Sequence, residues 1–209
     1  MISIKKFFIY LIGMMCVSLG IVLCAQCGLG ISPISGIPFV LKEILPITFG
    51  QLTMLFHLIN IILQMIIVKN IVDIKILLQV PVAFLFGWEI DLFKTFITVD
   101  QNQLFMQLLA LGGSIFFTAL GMVLMVRMNL VQNPPDGFVK LAASVIGKEF
   151  GRVKIIYDIG CVIIALIIGM LFLHKPFGMG IGTVASALFV GKTVTQINKI
   201  IENKKNSKI

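Results

Sequence analysis

The chain has 209 residues, of which 58% are hydrophobic and only 12% charged, and its mean hydropathy is +1.07. A soluble domain carries roughly twice that charged fraction, and a fold of this size leaves too much surface in water to hide so many apolar groups. A water-soluble globular protein is excluded, and six spans of about 20 residues would use most of the apolar content.

In chain order, residues 4–27 place Lys5 and Lys6 before an apolar run, as a signal peptide does. The run is too long for that, and Leu23-Cys24-Ala25 offers no small-x-small cleavage site. Neither Cys24 nor Cys27 follows a small residue, so a lipoprotein anchor is excluded too. Residues 4–27 are therefore the predicted first span. Five more follow at 51–68, 76–97, 104–126, 155–173 and 178–194, the last one short. The apolar stretches 33–45 and 135–146 are too short to cross and predict re-entrant or interfacial helices, one after the first span of each half.

With the N-terminus inside, Lys5, Lys6, Lys69, Lys75, Arg127, Lys140, Lys148, Arg152, Lys154, Lys192, Lys199, Lys204, Lys205 and Lys208 lie on the inner side. Only Lys42, Lys94 and Lys175 lie outside. Fourteen against three sets the orientation by the positive-inside rule. The expected location is a bacterial inner membrane, crossed several times, with both termini cytoplasmic. The net charge of +8 then faces anionic lipid of the inner leaflet, and no nucleic-acid partner is expected. Residues 201–209 read as a solvated basic tail.

Sliding the chain by 101 residues reveals an internal repeat. Leu19-Gly20 falls on Leu120-Gly121, Pro33 on Pro134, Gly36 on Gly137 and Phe49-Gly50 on Phe150-Gly151. After a short insertion, Ala83 and Gly87 match Ala187 and Gly191. Each half holds an odd number of spans, so the halves are expected to lie in opposite orientations. Inverted repeats of this kind build transporters with a site between the halves. The expected architecture is all-α, with six transmembrane helices in two inverted three-helix repeats, residues 1–100 and 101–200.

Each half breaks its apolar pattern at the same place. Ser32-Pro33 in Gly28–Gly36 and Asn133-Pro134 in Asn129–Gly137 both pair a capping side chain with a proline suited to the first helical position. Two helix N-termini aimed at a common cavity would suit an anion or a carboxylate-bearing solute. A helix lying flat at the interface is the alternative reading of 135–146, because Phe138, Leu141, Ala142, Val145 and Ile146 share one face.

The Gly-rich GLGISP after the first span, the related NPPDG of the second half and the Gly180-Ile181-Gly182-Thr183 turn together resemble the YczE/YyaS/YitT-type bacterial membrane proteins. The resemblance covers nearly the whole chain. It implies a multi-spanning inner-membrane protein and supplies neither a substrate nor functional residues.

Thr53, His57, Asn60 and Gln64 recur at four, three and four residues, one face of the second span turned away from lipid. The repeat aligns His57 with Asp158, a plausible relay or solute-binding pair. Asp158 also has a bland reading, with Lys154 one turn away on the same helix. Gln79, Ala83, Gly87 and Asp91 form a small-residue face in the third span, matched by Thr183, Ala187, Gly191 and Thr195, with helix packing the leading reading. Trp88 points to the outer interface, where Glu89 would be hydrated; if the span starts late, Glu89 sits deeper and becomes a functional candidate, and the sequence does not fix that depth. Cys24-Ala25-Gln26-Cys27 is a lone CxxC and a weak metal or redox signal. Asn133-Pro134 invites an aquaporin comparison, which fails because those proteins break after their second and fifth spans. No enzyme, cofactor or metal is expected.

The sequence thus predicts a passive or ion-coupled transporter of a small solute, an anion among the candidates, with a midplane site between the repeats. The expected substrate-binding residues are Ser32, Ser35, Gly36, His57, Asn60, Gln64, Asn133, Asp136, Gly137 and Asp158. Partners are membrane lipid, an unidentified small molecule or ion, and a second copy or another membrane protein. The alternatives are a substrate-binding membrane subunit of a multi-component transporter and a non-transporting accessory or regulatory protein.

Overall fold

The computed structural model describes residues 4–69 and 73–206, the side chains of residues 204–206 excepted. Among the described residues there is no strand. Two compact units are present, and each takes helices from both sequence halves.

The first unit comprises Met1–Ser32, Phe93–Leu130 and Gly180–Ile209. Its helices are α1 (Ile4–Gln26), α6 (Leu104–Met128) and α9 (Ile181–Asn206). Small residues bring α1 and α6 together. A Cβ added to Gly13 would lie 3.0 Å from the Gly121 carbonyl, and one on Gly20 would lie 2.8 Å from the Ser114 carbonyl. Lipid tails give no hydrophobic drive for association, so close backbone approach and the packing it permits hold such a pair. Val17 packs against Gly121 from one side, and Thr118, Leu124 and Met125 meet Gly20 and Gly13 from the other. Phe8, Ile12, Leu108 and Phe116 remain exposed on the outer faces, where lipid would cover them.

The glycine-rich segment after α1 docks on the start of α9. Gly182 N–H donates to the Leu29 carbonyl at 2.8 Å. Gly30 has φ +119°, and a Cβ there would lie 2.7 Å from Gly180 N, so both its backbone angle and its space require glycine. The GLG and GIG segments, 150 residues apart in the sequence, are thus two sides of one backbone contact.

The second unit comprises Pro33–Leu92 and Val131–Met179. It holds α2 (Gly36–Leu41), α3 (Phe49–Val68), α4 (Ile74–Leu77), α5 (Gln79–Phe96, to its residue 92), α7 (Pro134–Ile146) and α8 (Phe150–Ile168), which ends in a π turn, Gly169–Leu173. Thr48 starts α3 with a capping box: its Oγ1 accepts from Gln51 N–H at 3.1 Å, and Gln51 Oε1 accepts from Thr48 N–H at 3.2 Å. Asp91 of α5 reinforces that start. Its carboxylate accepts from Gly50 N–H at 2.8 Å and from the Thr48 hydroxyl. Ile61, Ile76 and Ala83 form one core of this unit, and Val139, Ala143 and Val153 another. Phe39 stacks on Phe177 at 5.4 Å and meets Phe49 edge-on at 5.6 Å.

Five described helical stretches are long and apolar enough to cross a membrane: Ile4–Gln26, Phe49–Val68, Ile74–Phe96, Leu104–Met128 and Phe150–Leu173. They correspond to the first five predicted spans. The sixth, expected at 178–194, lies in α9, which starts at Ile181, carries Lys192 and runs on through polar residues to Asn206. The solvated tail expected from 201 is helical as far as 206, and residues 207–209 lie outside the described residues. Helix starts keep the 101-residue register, since α3 begins at Phe49 and α8 at Phe150.

Candidate functional site

The polar stripe of α3 is buried on the face the spacing predicted. Thr53, His57, Asn60 and Gln64 are each 3% exposed or less, while Leu55, Ile59, Ile62 and Ile66 of the same helix are exposed. Thr53 spends its hydroxyl on the Phe49 carbonyl at 2.8 Å. The next members reach the second half of the chain within the second unit.

Gln64 and Gln79 form a reciprocal amide pair. Each Nε2 donates to the other's Oε1 at 2.9 Å. Gln64 Nε2 also donates to the Pro134 carbonyl at 3.1 Å, which ties α3 and α5 to the start of α7. Gly137 makes this possible: a Cβ there would lie 2.8 Å from Gln64 Oε1. Asn60 Oδ1 accepts from the Tyr157 hydroxyl of α8 at 2.8 Å, and Asn60 Nδ2 donates to the Phe56 carbonyl. Beside Tyr157, Lys154 Nζ donates to Asp158 Oδ1 at 2.7 Å and stands 3.7 Å from Asp136 Oδ1 of α7.

Gln64, Asn60, Asp136, Gly137 and Asp158 are therefore brought together as expected, with Gln79, Tyr157 and Lys154 as additional members. His57 lies one turn from Asn60 on the same stripe, its ring tilted at 41° against Phe86 with centroids 5.1 Å apart. Its Nδ1 is buried and has no hydrogen-bond partner. Asn133 Oδ1 and Asp136 Oδ1 are likewise buried without a hydrogen bond.

The first-half break is placed differently. Pro33 opens a 3-10 turn, Pro33–Ser35, so Ser35, not Ser32, is the N-cap of α2. Ser35 has helical angles (φ −82°, ψ −4°) and makes no side-chain cap bond. Ser32 is the last residue of the first unit. Gly36 packs against Ala165 and Met179. Ala165 is seven residues beyond Asp158, about 10 Å further along α8. The two breaks thus touch α8 at different levels.

Asn133 does occupy the N-cap of α7 with extended angles (φ −60°, ψ 130°), yet its side chain makes no cap bond. Pro134 and Pro135 fill the first two helical positions, and Gly137 N–H already donates to the Asn133 carbonyl at 2.8 Å. An anion needs free amides at a helix start, and here two of the three positions ahead of Gly137 have no N–H. The groups left without a hydrogen bond at this end are oxygens, Asn133 Oδ1 and Asp136 Oδ1, so what it lacks is a donor.

Glu89, expected in water beside Trp88, is 4% exposed, whereas Trp88 is 61% exposed. Asp91 is accounted for by the α3 cap. In the first unit, Cys24 Sγ donates to the Gly30 carbonyl at 3.4 Å and meets Ser186 Oγ at 3.5 Å, and Cys27 Sγ donates to the Cys24 carbonyl at 3.1 Å. Among the described residues no group of three or more His, Cys, Asp or Glu side chains is arranged to hold a metal.

Residues 4–199 match a family of unknown function, DUF6198, and the chain belongs to that family. It is 26% identical over 199 residues to the uncharacterized protein YyaS of Bacillus subtilis (strain 168), a match covering 94% of each chain. The resemblance read from GLGISP and NPPDG agrees with this relative. No solved structure matches the chain.

Proposed function

We propose that this member of the family is a transporter of a small solute, passive or ion-coupled, built as two inverted three-span repeats in a bacterial inner membrane with cytoplasmic termini. The supporting observation is the polar cluster of the second unit. Asn60, Gln64 and Gln79 come from the first repeat, Asp136, Lys154, Tyr157 and Asp158 from the second, and they meet inside helices whose outer faces are apolar. Polar groups at that depth are expensive and mark a solute path. Most are satisfied by one another, which holds the path in shape. His57 Nδ1, Asn133 Oδ1 and Asp136 Oδ1 are left for a solute that donates hydrogen bonds. Ser35 and Gly36 line the same unit further along α8, and a path from one break to the other would run beside that helix.

The test is thermal unfolding of the detergent-purified full chain against amines, organic acids and inorganic ions, followed by uptake of each stabilising compound into proteoliposomes. A solute at 100 times its Kd adds about 2.7 kcal/mol of stability. Uptake that is saturable, and lost in Asn60→Leu protein that still inserts and folds, supports the reading. Stabilisation without uptake would point to an accessory or regulatory protein. A flat panel with a co-purifying ATPase would point to a subunit of a multi-component transporter.

A further inference from the structure

Cys24 lies in the last turn of α1, and Cys27 directly follows that helix, its N–H still donating to the Leu23 carbonyl at 3.0 Å. Residues three apart on a helix stand about 5 Å apart at Cα, inside the roughly 4.4–6.8 Å that a disulfide spans. Both cysteines are free thiols. Their sulfurs are hydrogen-bonded to each other and share the Gly30 carbonyl, 3.4 Å from Cys24 Sγ and 4.0 Å from Cys27 Sγ. The hydroxyls of Ser114 and Ser186 also reach the Cys24 sulfur, Ser186 at 3.5 Å. The thiols therefore sit behind the contact with α9. The Leu29 carbonyl accepts from Gly182 N–H, and a Cβ on Gly182 would lie 2.8 Å from the Gly30 carbonyl that the thiols hold.

We infer that Cys24 and Cys27 are a reversible dithiol–disulfide pair, a redox modification site whose oxidation loosens the hold of the glycine-rich segment on α9. In the reduced pair, S–H groups donate to the Gly30 and Cys24 carbonyls. Oxidation removes both donors, and a bridge across only Ala25 and Gln26 closes too short a loop to stabilise the fold much in return. The oxidant is a small disulfide, R–S–S–R. The Cys24 thiolate, flanked by two hydroxyls, attacks one of its sulfurs, forming a mixed disulfide and expelling RS⁻. The Cys27 thiolate then attacks Cys24 Sγ, closing the Cys24–Cys27 bond and expelling the second RS⁻. The two thiol protons pass to the two leaving groups, so two thiols are oxidised and one R–S–S–R is reduced to two RSH.

Both thiols are buried, at 3% and 0% exposure, yet their cover is thin. Gln101 Nε2 donates to the Gln26 carbonyl at 3.0 Å and its side chain lies over Gly28, and both Gln101 and Gly28 are exposed. Local opening of this exposed segment admits a small reagent. With the N-terminus inside, as the lysine distribution predicts, this end of α1 meets the outer face, where disulfides form and persist. The inference holds whether or not the chain carries a solute.

The experiment treats the folded, detergent-purified full chain with 2-hydroxyethyl disulfide and follows it by intact and peptide mass spectrometry and by amide hydrogen exchange. Loss of two hydrogens from the peptide that holds both cysteines is expected. Exchange at Gly182 N–H should then be at least threefold faster than in the reduced chain, and dithiothreitol should restore both readings. Cys27→Ser should stop at the mixed disulfide on Cys24. A folded chain that keeps both thiols, or one that forms the bond with Gly182 exchange unchanged, overturns the proposal; both readings come from the wild type and need no variant to fold.

Discussion

Replacing Gln79 by Leu would remove both 2.9 Å bonds of its amide pair and leave Gln64 with Oε1 unpaired, although Gln64 Nε2 would keep the Pro134 carbonyl. One orphaned buried acceptor costs about 1–3 kcal/mol in proteins generally and about 1–2 kcal/mol between membrane helices. A loss of about 1–2 kcal/mol is expected. Replacing Gln64 instead strands the whole Gln79 amide and removes a second donor from the Pro134 carbonyl, so about 2–3 kcal/mol is expected. The double Leu variant removes both amides together and leaves no orphaned amide, so it should lose about 1 kcal/mol, no more than Gln79→Leu alone. Equilibrium unfolding by steric trapping reads these differences directly, and each kilocalorie moves the thermal midpoint by about 2–4 °C for a chain of this size. A double variant whose loss equals the sum of the singles would refute the reciprocal pair.

Two further outcomes follow from the helix contacts. Gly13→Val would push a branched side chain into a site where even a Cβ meets the Gly121 carbonyl and Leu124 at 3.0 Å, so α1 and α6 should separate with a loss of about 2 kcal/mol or more; unchanged unfolding would refute the close crossing. Asp91→Ala would uncap α3 at Thr48 and Gly50, lowering stability by about 1–2 kcal/mol, while Asp91→Asn, which keeps an acceptor, should lose less; equal effects would refute the capping role.

The spacing of Thr53, His57, Asn60 and Gln64 was enough to place the stripe, because a helical period alone decides which residues share a face. Five of the spans were legible for the same elementary reason, length and apolarity. Tyr157 was not legible as a member of the site. A tyrosine inside an apolar run carries no signal until its partner, Asn60, is known from the fold. Ser32 was taken for a cap because Ser-Pro fits one, but the 3-10 turn at Pro33 moves the cap to Ser35. The double proline at the start of α7 was visible in the sequence, yet the helix start was read as suited to an anion, and that reading overlooked the amides the prolines remove. The depth of Glu89 was open in the sequence, where its neighbour Trp88 pointed to the interface. Consecutive residues on a helix point about 100° apart, so one can face lipid while the next is buried. The grouping of α1 with α6 and α9 depends on backbone approach at glycines, which hydropathy does not register.

The α1–α6 seam also sets a timetable for biosynthesis. About a hundred residues separate the end of α1 at Gln26 from the end of α6 at Met128. At roughly 5–20 residues per second, α1 waits some 5–20 s in the bilayer before its partner has been made. During that interval the face built around Gly13, Val17 and Gly20, buried in the finished protein, has only lipid against it. It is a groove floored by glycine, open to any passing helix able to approach closely. Faithful assembly therefore requires that the insertion machinery or the intervening helices keep that groove closed to strangers until α6 arrives. Slowing translation between Leu29 and Leu104 should raise misassembly in proportion to the wait.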